Sequence, residues 1–147
     1  MTHPKRFTDA VTKLYNAFHE GTLNAFNCQA CAVGSICNKS SEWYNFWFTA
    51  RNLHSHGYSQ NFKKFEGNVL NTGYSSIELA KVELVFLENF DSTGEDSSKD
   101  KHRQFNGLCA VIEYLCELDN IPNIMDYKSL FETENDKPKV QLETVFA

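Results

Sequence analysis

The sequence predicts an all-α protein, a compact bundle of five or six helices with irregular loops. Three stretches carry that expectation. Phe7, Ala10, Val11, Leu14, Tyr15 and Phe18 recur at the three-and-four spacing that lines one face of a helix. Ser75 followed by Glu78 has the form of a capping box, with Tyr74 and Leu79 placed as its hydrophobic staple. Phe105, Leu108, Cys109, Ile112, Leu115 and Cys116 repeat the helical spacing ahead of Pro122. No set of alternating segments is able to build a sheet.

The 147 residues are the size of one domain, so residues 1–147 are expected to form a single helical unit. Aromatic rings make up 14% of the chain and hydrophobic residues 41%, so rings must supply much of the core. A net charge of -5 with no massed basic patch speaks against nucleic-acid binding. No segment reads as a signal peptide, and no apolar run approaches the roughly 20 residues that cross a bilayer. No membrane association is therefore expected. The five cysteines then point to a reducing compartment, the cytoplasm, with thiols free or bound to metal.

In chain order, the first predicted helix runs from Phe7 to about His19 and stops at Gly21. Asn24 to Cys37 reads as a tight, small-residue segment in which Gly34 interrupts any helix. Ser40 or Ser41 can cap a next helix, in which Trp43, Tyr44, Phe46, Trp47 and Phe48 fall on more than one side. Such a helix is core, or partly an interface for a homodimer or another protein partner. From His54 to Gly67 a loop is expected, with a short helical piece around Phe62 and Phe65.

The helix from Ser75 shows a narrow polar strip at Glu78, Lys81 and Glu88, which predicts burial on its other sides and a central position. Residues 91–101 contain no apolar side chain and are expected to be a mobile loop. The helix carrying Cys109 follows and is expected to pack against the helix from Ser75. A short helix is expected from about Asn123 to Phe131, and residues 132–147 read as a frayed tail, a weak strand or a docking segment.

Cys28-Gln-Ala-Cys31 has the gap that lets two thiolates reach one metal at about 2.3 Å. Cys109 and Cys116 share a helical face but stand about 10 Å apart along its axis, so only one of them can join such a site. Cys109, beside Gly107, is the expected partner. Cys37 can join only where the chain around Gly34 is not helical. The candidate metal set is thus Cys28, Cys31, Cys37 and Cys109, with zinc the first metal to consider and an iron–sulfur cluster the second. A redox dithiol at Cys28 and Cys31 is a further alternative, and cysteines packed as small hydrophobes are the simplest.

Other constellations fail. Asp91, Thr93 and Glu95 begin an EF-hand pattern that Asp96 and His102 break at its glycine and bidentate positions. Glu113 and Glu117 have no Glu-x-x-His partner and read as a solvated face, and the His54/His56 pair reads as polar loop. There is no dinucleotide, P-loop, HExxH or GxSxG motif. The expectation is a non-catalytic binding or regulatory protein with a structural cysteine segment, and the alternative is a small redox protein centred on Cys28/Cys31.

At Cys28-Gln-Ala-Cys-Ala-Val-Gly34, Gly73-Tyr-Ser-Ser-Ile-Glu-Leu-Ala80 and Phe105-Asn-Gly-Leu-Cys-Ala-Val-Ile-Glu-Tyr-Leu-Cys-Glu-Leu-Asp119 the chain resembles a family of short uncharacterised bacterial proteins. Some members carry an inherited name, that of the ferredoxin- and flavin-bearing component of a sodium-translocating NADH:quinone reductase. This chain lacks the C-x4-C-x2-C spacing and the dinucleotide fingerprint which that name requires. The resemblance, from about Phe7 to Ile121, implies that the CxxC segment and the Cys109 helix belong to one recurring unit, and it implies no activity.

Overall fold

The computed structural model describes residues 3–25, 31–37, 72–90, 100–134, 137–138 and 141–146. They contain six helices: α1 (Lys5–Glu20), α2 (Ala32–Ile36), α3 (Ser76–Asn89), α4 (Lys101–Asp119), α5 (Ile124–Ser129) and α6 (Leu142–Phe146). A two-residue antiparallel ladder, β1 (Thr133–Glu134) with β2 (Lys137–Pro138), precedes α6. The all-α class is as the sequence predicts. No helix among the described residues is long and apolar enough to cross a membrane.

Helix ends follow local chemistry. Gly21 ends α1 in the left-handed region at φ 77°, and Thr22 N donates to Ala17 O at 2.9 Å, closing the last turn. Ser75 caps α3 as predicted, with Glu78 N donating to Ser75 Oγ at 3.1 Å and Ser75 N donating to Glu78 Oε1 at 2.8 Å. Asp100 caps α4 by accepting from Arg103 N at 3.1 Å. Asn120 ends α4 at φ 56°, a conformation its short polar side chain tolerates, and Pro122 prevents continuation.

α3 and α4 form the central pair, α1 packs on α2 and α4, α2 also packs on α3, and α5 lies on α4. Their meeting surfaces carry Phe7, Leu14, Phe18, Leu79, Phe86, Leu108, Ile112 and Leu115, all buried. Gly107 sets the closeness of the central pair: a Cβ there would stand 2.7 Å from Cδ2 of Phe86 and 3.0 Å from its carbonyl oxygen.

Several expectations change. Gly34 lies inside a helix, α2, because its amide is bonded within the first turn. α3 is less buried than its narrow polar strip suggested: Ile77 is 60% and Leu84 42% exposed, on one stripe with Lys81 and Glu88. The expected loop ends at Asp100, since Lys101 is already helical, and residues 91–99 lie outside the described residues. The aromatic segment Trp43 to Phe48 and the loop from His54 to Gly67 also lie outside them. Part of the tail is helical, as α6.

Candidate cysteine site

α2 is the structural centre of the cysteine segment. It spans five residues, all buried, and a helix so short is not stable on its own, so its ends must be held from outside. Cys31 is its N-cap, and the Sγ accepts from Gly34 N at 3.3 Å. The amide of Val33 donates to Glu83 Oε1 at 3.2 Å, which brings an acidic side chain from the middle of α3 to the positive end of α2. At the other end Lys13 of α1 donates through Nζ to Ile36 O at 3.2 Å, a cation at the negative end. Cys37 closes the helix, donating its amide to Val33 O at 2.8 Å. Neighbouring helices thus clamp both ends of α2 with charges of the sign each end favours.

Cys31 and Cys37 are both buried. Burial pushes the Cys37 thiol up to about 12, with Lys13 pulling it down and Glu83 pushing it further up. Cys109, half-buried on α4, is pushed up to about 11 by burial, with Lys128 opposing and Glu113 and Glu132 adding to the rise. Cys116 is buried in the α4 face and is likewise pushed up to about 12. These three thiols stay protonated at neutral pH, and a protonated thiol is a poor nucleophile.

Of the candidate metal set, Cys28 lies outside the described residues. Cys31 and Cys37 cap opposite ends of α2, about 9 Å apart along its axis, so the non-helical chain that Cys37 needed to join Cys31 is not what forms. Cys109 has Glu113, Lys128 and Glu132 as its charged neighbours, whereas Cys37 has Lys13 and Glu83. Among the described residues no three of His, Cys, Asp and Glu stand together as a metal-holding group. Glu113 and Glu117 are exposed, as expected.

Two polar features are not apparent from the sequence. Glu83 is 1% exposed, yet it sits in an apolar run where nothing but its charge marks it. The second is a cluster on Arg6, whose Nε donates to Asp119 Oδ1 at 2.9 Å and Nη1 to Gly73 O at 2.9 Å. The guanidinium lies 4.4 Å from the centre of the Tyr74 ring, and the Tyr74 hydroxyl donates to Asp119 Oδ2 at 2.8 Å. Glu78 stands 3.7 Å from Arg6 Nη1. The hydrogen bond to Asp119 raises the Arg6 pKa, and burial, then that same carboxylate, raises the Tyr74 phenol. The cluster ties the start of α1, the turn before α3 and the end of α4 together. Its donors and acceptors are engaged with one another, which suits a structural tie.

No protein-family model, curated protein or solved structure matches the chain.

Proposed function

We propose that the chain is a non-catalytic binding or regulatory protein of the cytoplasm, in which the cysteine segment is structural. The observation that supports this most is the use of Cys31 as the cap of a wholly buried helix clamped by Glu83 and Lys13. A thiol engaged as a helix cap, with a protonated neighbour at Cys37, serves packing better than electron transfer. Zinc belongs to the same reading: bound through Cys28 and Cys31 with further ligands, it would add its binding free energy to folding. The reading takes the chain as a member of the short bacterial family whose motifs it resembles. It gives the aromatic segment Trp43 to Phe48 the role of contact surface for a homodimer or another protein, and it assigns no nucleic acid as partner.

The competing reading, a small redox protein with an iron–sulfur cluster or dithiol at Cys28 and Cys31, makes a different prediction. Protein purified without added metal is expected to be colourless, with elemental analysis returning zinc or no metal. A band near about 400 nm with stoichiometric iron would replace the structural reading by the redox one.

A further inference from the structure

We infer that the outward stripe of α3 is a contact for a second copy of this chain, met antiparallel across a two-fold axis near Leu84. Two reciprocal ion pairs, Lys81 with Glu88 of the other copy, set its register. The inference goes beyond the reading above, since it uses neither the cysteine segment nor the aromatic segment Trp43 to Phe48.

The stripe is a surface that the packing of α3 leaves open. Leu79, Val82 and Phe86 bury the inner face of the helix. Ile77, Lys81, Leu84 and Glu88 follow one another at intervals of four, three and four residues and are all exposed, a single line about 16 Å long. Half-buried Val85 and Leu87 border Leu84 on either side. A helix face turned only to water carries polar side chains, whereas here large aliphatic residues alternate with single charges. Among the described residues neither Lys81 nor Glu88 takes part in an ion pair.

What identifies the occupant is that the stripe complements itself. Where a two-fold axis passes Leu84, a residue before it faces the residue equally far after it on the other copy. Lys81 stands three positions before Leu84 and Glu88 four positions after, so the two charges come level to within one residue, about 1.5 Å along the axis. The symmetry forms this pair twice, with Leu84 against its counterpart between the pairs and Ile77 at the end of the facing helix. A parallel arrangement would instead set Lys81 on Lys81 and Glu88 on Glu88, so the charges choose the direction. The contact is one helix wide, which makes the dimer weak and leaves its specificity to the ion pairs.

Sedimentation equilibrium on the full chain tests this. A dimer with a Kd on the order of 100 µM is expected. Lys81→Glu or Glu88→Lys alone makes both pairs repulsive and is expected to weaken the dimer about tenfold or more. The double variant K81E/E88K restores opposite charges and is expected to return the Kd to within about threefold of its original value. Both side chains are exposed, so each variant is expected to keep the melting temperature of the parent in dilute solution. A chain that stays monomeric up to about 1 mM would overturn the inference, as it would were residues 38–71 of the same chain to cover the stripe. A dimer indifferent to the single reversals would overturn it in favour of the aromatic segment, and so would a double variant no tighter than the single ones. None of these readouts involves thiols or metal, so failure here leaves the cysteine reading standing, and the reverse holds.

Discussion

At the scale of single residues, buried polar groups carry the specificity of this fold. Arg6 neutralises Asp119, whose side chain is 4% exposed, while also holding Gly73 and Tyr74. Replacing Arg6 by Met leaves the buried Asp119 carboxylate without its counter-charge, held only by the Tyr74 hydroxyl, and is expected to cost about 3 kcal/mol in urea unfolding. Gly107→Ala is expected to cost about 1–3 kcal/mol, because the added methyl meets a Phe86 ring that is itself 0% exposed. Tyr127 behaves oppositely. Its hydroxyl and the Asn123 Oδ1 are buried without hydrogen-bond partners, so Tyr127→Phe is expected to leave the Tm unchanged or raise it. A drop of several degrees would show that the hydroxyl is satisfied in solution, by Asn123 or by water. None of these roles was legible in the sequence. Arg6 and Asp119 are 113 residues apart, and Glu83 in an apolar run looks like one more polar position on a helix face.

At the scale of elements, the clearest local signals are those in which a cap and an apolar period agree. The Ser75 box, the α1 stripe stopped by Gly21 and the α4 stripe ended before Pro122 were all legible, because each is decided within a few neighbouring residues. Ser75→Ala is expected to lower stability by about 1 kcal/mol, read from thermal unfolding, since it removes one half of the reciprocal pair. Of the short elements, α5 was legible, as the helix expected from about Asn123 to Phe131, and α2 and α6 were not. α2 and α6 have five residues each, less than two turns, and form only where other helices hold them. Gly34 accordingly read as a breaker, although in α2 its amide is satisfied by Cys31. The start of α4 was missed because Asp100 and Lys101 read as loop by their polarity, whereas Asp100 caps the helix and Lys101 reaches Phe18, over its ring and onto its carbonyl.

At the scale of the whole molecule, the aromatic composition pointed correctly to rings in the core, and the pairing of α3 with α4 followed from their apolar faces. Which surfaces the other helices share depends on contacts between distant residues and could not be read from periodicity. One such junction gives the molecule a pH dependence. His19 Nε2 donates to Leu130 O at 2.7 Å, joining the end of α1 to the end of α5, and its ring stacks on Phe131. Burial lowers its pKa, with Lys101 adding repulsion, so the folded state binds the proton less readily than the unfolded chain. The stability this confers is complete above the ordinary histidine pKa of about 6.5 and is lost as the pH falls below it toward the folded value. Unfolding free energies measured from pH 7.5 to 5.5 are expected to fall, and His19→Gln is expected to flatten that fall. An identical slope in the variant would assign the dependence to other groups.

The central claim is that the cysteine segment holds structure. Cys31 caps α2 and is 2% exposed, and Cys37, equally buried, has its thiol pushed up to about 12. Timed alkylation of the native protein at neutral pH, with each cysteine followed by peptide mass, tests this most directly. The expected result is that Cys31 and Cys37 stay unmodified until the chain unfolds, while half-buried Cys109 reacts slowly. Rapid modification of Cys31 in protein that remains folded, or its recovery as a disulfide under mild oxidation, would contradict the claim.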